Sequence, residues 1–175
     1  MPEDYNKARR EALNVIKDSA VAQSMHSMGT DASLSLGMMT GDVPNKNWSL
    51  GENFEGSEAL GGPAYTEKYL TGTHACYACP IACKRVVQVK EGPYKGKEQA
   101  GPEYETCCTF GTLIMNNDLA AVIKINEMCN RYGLDTISCG STIAFAIDCF
   151  QNGVITEGDT EGIKLTWGNV EGVIK

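Results

Sequence analysis

The sequence predicts a mostly α-helical fold with one small β-hairpin, and three observations carry that expectation. Apolar residues recur near helical spacing over Asp4–Met25 and again over Asn117–Tyr132. The segment Ser138–Gln151 is apolar almost all round a helix. Arg85–Val89, "RVVQV", has the β-branched density of a strand, and "KEGPYKGK" behind it supplies a turn.

From about Asp4 to Met25, Ala8, Ala12, Val15, Ile16, Ala20 and Val21 form a stripe on good helix formers. Gly29 to Gly62 is glycine-rich and irregular, with a short helix expected at Ala32–Met39 and turn chemistry in "GDVPNKNW", Gly41–Trp48. A long irregular segment in a small domain usually wraps something or carries a site. Pro63–Leu70 is expected to be a short helix delivering the chain to its first cysteines. Asn117 reads as an N-cap and Gly133 as a C′ glycine; between them Leu119, Val122, Ile123, Cys129 and Tyr132 make the apolar face. The next helix stops at Asn152-Gly153. Ile143, Ala144, Phe145, Ala146, Ile147, Cys149 and Phe150 leave it little polar surface, which predicts burial within something larger. "GIKLTWGNVEGVIK" ends at Lys175 where another helix begins, so the 175 residues are expected to be a fragment of a larger protein.

Apolar residues make up 42% and charged residues 21%, as in a globular domain. Fifteen Lys+Arg against 22 Asp+Glu give a net charge of -7, which excludes a general nucleic-acid binder because no basic field gathers a polyphosphate. No run of about 18 apolar residues offers a membrane span. Met1–Arg10 is polar and lacks the apolar core of a signal peptide, so a cytoplasmic protein is expected. Eight cysteines in such a chain argue for metal or redox chemistry rather than a disulfide framework. With only His26 and His74 present, a His-rich metal site is excluded.

The strongest signal is "HACYACPIACKR", His74–Arg85, where Cys76, Cys79 and Cys83 have the spacing C-x2-C-x3-C. One loop so spaced supplies three corners of an iron–sulfur cube while its backbone N–H groups turn toward the sulfides. Radical enzymes that cleave S-adenosylmethionine use the opposite order, C-x3-C-x2-C. Two other readings stay open: a zinc ion with His74 as the fourth ligand, and plain structural cysteines. Brown colour separates cube from zinc, which is colourless.

Four blocks then carry a resemblance. "CYACPIACKR" (Cys76–Arg85), "GPEYET" (Gly101–Thr106), "NNDLAAVIKINEMCNRYGLDTIS" (Asn116–Ser138) and "GSTIAFAIDCFQNGVIT" (Gly140–Thr156) resemble, in order, the aldehyde:ferredoxin oxidoreductase family. These are tungsten enzymes with a bis-pterin cofactor and one [4Fe–4S] cluster. Weaker similarity at "VPNKNW", Val43–Trp48, extends the match over nearly the whole chain. The family protein is several times longer. The resemblance therefore implies the helical second domain and the edge of the third, without the N-terminal domain that cradles the pterins or the far C-terminal part.

Carried over by motif, the resemblance makes Cys76, Cys79 and Cys83 ligands of the [4Fe–4S] cluster. The fourth ligand, in a D-x-x-G-L-C motif, has no counterpart in this chain. The pterin motif D-x-x-G-L-D falls on Asn130–Asp135, so Asn130, Gly133, Leu134, Asp135 and the adjoining Thr136 become cofactor-binding candidates. Asn130 replaces the first aspartate and accepts a hydrogen bond without the charge. Taken alone, the same corner is a plain turn between helices, with Gly133 as C′ residue and Asp135 as cap. The family's active-site glutamate falls on Glu105, a proton-transfer candidate that only the resemblance selects over Glu103. Cys107, Cys108, Cys129 and Cys149 are expected to be small buried hydrophobes. Cys139 follows "GLDTIS" at a helix N-terminus and is a candidate tungsten ligand, a soft donor that points to the branch resembling tungsten-dependent aromatic acyl-CoA reductases; the other reading is an inert buried thiol.

The implied function is oxidation of an aldehyde to a carboxylate with ferredoxin, or an electron-transfer subunit, as acceptor. An aromatic acyl-CoA reductase subunit acting on an acyl-CoA and a small zinc-stabilised binding module are the alternatives. A truncated product that binds neither group is a third. Tungsten or molybdenum, and association into a homo-oligomer, stay open.

Overall fold

The computed structural model describes residues 3–175. Its helices are α1 Glu3–Asp18, α2 Ala20–Met28, α3 Ala32–Thr40, α4 Gly62–Tyr69, α5 Tyr104–Thr109, α6 Leu119–Tyr132, α7 Thr136–Gln151 and α8 Val170–Ile174. The strands are β1 Leu70–His74, β2 Lys84–Val87 and β3 Gln99–Ala100, forming one antiparallel sheet in the order β1-β2-β3. The fold is thus mostly α, as the sequence predicts. The hairpin after Lys84 is β2–β3, with Val86 opposite Ala100 and Val87 opposite Gln99.

Local chemistry explains the departures. The single first helix breaks at Ser19, which is extended (ψ 122°) and accepts from the Ala22 N–H at 3.4 Å, restarting the helix as a cap. β1 is a strand that the sequence hides, because Gly72 and a register shift between Leu70 and Gly72 interrupt its alternation. The cap of α6 is Asp118 rather than Asn117: its carboxylate accepts from the Ala120 and Ala121 N–H groups at 2.9 and 3.3 Å. α7 starts at Thr136, two residues before the expected Ser138, because Asp135 caps it and accepts from the Ser138 N–H at 2.7 Å.

The core gathers Leu34 and Val43 with Leu60, Tyr65, Val87, Phe110, Val122 and Ile123, and each such side chain contributes about 1.5–3 kcal/mol by leaving water. A second cluster joins Leu113 and Ile114 to Ala144 and Ile147 of α7. All-round burial of α7 is not met within the described residues. α5 and the 3-10 turn Thr112–Ile114 cover one side, while Phe145 and Ile137 stay 63% and 47% exposed on the other. Among the described residues no helix is long and apolar enough to cross a membrane.

α5 and α7 approach closely because Gly140 has no side chain. A Cβ there would sit 2.6 Å from Thr109 Cβ and 3.0 Å from its carbonyl carbon. Gly140→Ala is expected to lower the unfolding free energy in denaturant titration by about 1–3 kcal/mol, overpacking outweighing the better helix propensity of alanine.

Candidate functional site

The cysteine loop leaves β1 at His74 and enters β2 at Lys84, residues that pair across the two strands. Cys76 is exposed, and Cys79 and Cys83 are half-buried. Ala78 (φ 56°) and Ala82 (φ 55°) are left-handed, each immediately before a cysteine. That conformation costs an alanine about 1–2 kcal/mol. A positive φ at each of these alanines turns the chain sharply just before the thiol that follows. The Cys79 N–H bonds the Cys76 carbonyl at 3.0 Å, closing the first turn. The N–H groups of Ile81 and then Ala82 aim at the Cys79 sulfur and hold its pKa below the ordinary thiol range. Burial pushes Cys83 up, and the Glu103 carboxylate, Cys79 and Cys76 push it further. Three thiols therefore share one electrostatic neighbourhood, and donors already point at one of them. Thiolate sulfurs of one loop with inward N–H groups fit an iron–sulfur cube. Among the described residues no three His, Cys, Asp or Glu side chains are gathered tightly enough to hold a single metal ion, so the zinc set with His74 is not assembled.

Behind the loop lies a polar cluster that the sequence reading missed. Arg85 is 1% exposed; its Nη1 donates to the His26 carbonyl at 3.2 Å and its Nη2 to Thr66 Oγ1 at 3.1 Å. Asp31 is fully buried, and neither carboxyl oxygen has a nitrogen or oxygen partner. It faces the buried thiol of Cys107. Burial raises its pKa from 3.8 to about 7; the Cys107 thiol opposes that rise, nearby Glu103 adds to it, and Arg85 opposes it weakly. Burial, then Asp31, pushes Cys107 up in turn. Glu103 accepts from Thr30 Oγ1 at 2.6 Å, and that hydroxyl accepts from the Tyr104 N–H at 2.9 Å. Glu105, on the first turn of α5, is exposed and stands outside this cluster.

The corner between α6 and α7 holds the other candidates. Gly133 (φ 71°) ends α6, and the Gly133 N–H and the Leu134 N–H both reach the Cys129 carbonyl. Asn130, Leu134 and Asp135 are exposed, while Thr136 is half-buried and shares a 2.8 Å hydroxyl bond with Thr106. That bond brings the corner beside the helix bearing Glu105. The Ser138 hydrogen bonds hold the Asp135 pKa below the usual carboxylate range, so its side chain serves as a helix cap here. Cys139 is half-buried in an apolar groove with Cys129, Leu134 and Ile143. Burial, then the neighbouring Cys139, pushes Cys129 up to about 11. Cys107, Cys108 and Cys129 are buried as expected, but Cys149 is half-exposed because it lies off the covered side of α7.

Four sequence blocks thus meet in two places, a cysteine loop and a helix corner joined through α5. The family profile "Aldehyde ferredoxin oxidoreductase, domains 2 & 3" matches residues 7–175. The chain belongs to the aldehyde ferredoxin oxidoreductase family. The tungsten-containing aldehyde ferredoxin oxidoreductase of Thermococcus kodakarensis is 36% identical over 164 residues, and that of Pyrococcus furiosus 37% identical over 164 residues. Each alignment covers 93% of this chain and 26% of the relative. A more distant relative, the aliphatic sulfonate oxidoreductase WOR-like subunit of Pyrococcus furiosus, is 26% identical over all of this chain and 28% of its own length. The chain spans about a quarter of the length of the curated relatives it matches.

Asp31 gives the aldehyde ferredoxin oxidoreductase segment a pH-dependent stability whose sign is fixed. Its pKa is raised from 3.8 to about 7, so the folded chain keeps a proton that the unfolded chain releases. Stability is therefore lost as pH rises from about 4 to 7 and levels off above. Asp31→Asn is expected to abolish that slope: its unfolding free energy in denaturant titration should gain on the parent's progressively from pH 4 to pH 7, toward a limit of about 4 kcal/mol. A difference independent of pH would contradict the assignment.

Proposed function

We propose that this chain is the part of a tungsten–pterin oxidoreductase that holds its [4Fe–4S] cluster and presents one pterin-facing corner beside it. The observation that carries this reading is the Cys79 sulfur under two backbone N–H groups, in a loop whose other thiols, Cys76 and Cys83, share its field. When bound, the cube supplies one-electron storage, and the dithiolene-held metal, tungsten or molybdenum, supplies two-electron exchange with substrate.

The chain's own residues divide the remaining work. Cys76, Cys79 and Cys83 bind three irons, and the fourth ligand comes from outside these residues. Asn130, Gly133, Leu134, Asp135 and Thr136 line the pterin, with the Asn130 amide as hydrogen-bond acceptor and the first turn of α7 as a source of N–H donors. Conversion of RCHO and water to RCOOH releases two electrons and two protons. Glu105 accepts one of the protons, and its exposure on α5 beside the corner supports that role. The substrate is a small aldehyde. Ferredoxin, or an electron-transfer subunit, takes the electrons one at a time in the cytoplasm.

A second reading, reduction of an aromatic acyl-CoA with Cys139 on the metal, requires that thiol to leave its groove. The packing of Cys139 beside Cys129 favours the aldehyde reading.

The test uses the full-length protein purified without oxygen. Cys79→Ala is expected to lose most of the iron and the broad visible absorption, whereas Cys107→Ala, in the core, should keep both. Retention of the full iron content by Cys79→Ala would refute the ligand role. Cys139→Ser should retain its tungsten and its aldehyde turnover; loss of both would favour the acyl-CoA reading.

A further inference from the structure

His26 is one of two histidines in the chain and belongs to none of the motifs. It lies in the last turn of α2, exposed, and its Nδ1 is 2.6 Å from the Ile81 carbonyl oxygen. A carbonyl oxygen only accepts. Nδ1 is therefore the protonated nitrogen, which fixes the tautomer of the neutral ring. The contact is with the centre of the cysteine loop, and its chemistry continues through the bond. The Ile81 carbonyl and the Ala82 N–H belong to the same peptide unit, and that N–H aims at the Cys79 sulfur. A donor on the oxygen side of a peptide polarises it and strengthens the N–H on the other side. The backbone keeps this geometry in place, because the carbonyl of His26 accepts from Nη1 of the buried Arg85, two residues beyond Cys83.

We propose that His26 is a positioning residue that tunes the cluster held by the cysteine loop, acting on the Cys79 sulfur through the Ile81–Ala82 peptide. The inference rests on the iron–sulfur reading of that loop. N–H donors on a ligating sulfur draw electron density from it and favour the reduced cluster, so they raise its reduction potential. The ring exchanges no electron and touches no iron. Its effect is carried by one hydrogen bond and one polarised amide.

The measurement is the reduction potential of the cluster in the full-length holoprotein, by redox titration followed in the visible and by electron paramagnetic resonance. His26→Ala removes the donor. The reduction equilibrium is expected to shift toward the oxidised cluster by about threefold to tenfold, tenfold being about 59 mV for one electron. His26→Asn places an amide N–H at the branch position that Nδ1 occupies, and should recover most of the shift. His26→Gln sets its amide one bond further out, and should not. This contrast also decides the matter if His26→Ala folds poorly, since Asn and Gln have the same polarity. Unchanged potentials in both Ala and Gln variants with full iron content would overturn the inference and leave the iron–sulfur reading intact. Equal shifts in Asn and Gln would overturn it too, because a loss of packing alone would then account for them. An iron-free parent protein would overturn both.

Discussion

The buried guanidinium of Arg85 is the point on which the cysteine loop and its supporting helices depend. Removing a full positive charge from water costs several kcal/mol unless partners replace the lost hydration. Here the replacements come from the α2 carbonyl of His26 and the α4 hydroxyl of Thr66, so a residue of β2 ties two helices together. Glu103 adds opposite charge nearby. The stem of Arg85 also needs space. Gly29 supplies it at the end of α2, where a Cβ would come within 2.8 Å of the Arg85 Cδ; its φ of 73° suits glycine for the same reason. The end of α2, the exit of the loop and the start of the sheet are thus one packing problem with one solution.

The same region concentrates negative charge. Cys83 feels Glu103 and the two other thiols, and Asp31 feels Glu103 in its turn. Deprotonating three cysteines there without a compensating cation would be unfavourable. Asp31 keeps its proton near neutrality and so adds no further charge to the crowd.

Much of this was legible in the sequence, for identifiable reasons. α6 and α7 carry apolar periodicity, side-chain caps and a glycine stop, signals that agree with one another, and only the boundaries moved by one or two residues. The cysteine cluster marked a connecting segment, and the structure places it between the paired residues His74 and Lys84. β1 was hidden, since five residues containing a glycine and a bulge have no readable alternation. Arg85 and Asp31 were invisible for another reason. Each is a single polar residue whose role depends on burial, and burial arises from contacts far along the chain, such as that between Asp31 and Cys107. Glu103 and Glu105 show the limit plainly: two residues apart in one motif, they face a buried network and solvent respectively.

The left-handed alanines before Cys79 and Cys83 restrict how this loop can drift over evolutionary time. At a positive φ, glycine is free of strain, asparagine tolerates it, and alanine accepts a modest penalty, but a β-branched side chain collides with its own backbone. Single-base changes of Ala78 or Ala82 to valine or threonine therefore carry a backbone penalty, although neither side chain need touch a cysteine sulfur. Two positions that look like inert spacers between cysteines are in that respect restricted by their own backbone conformation.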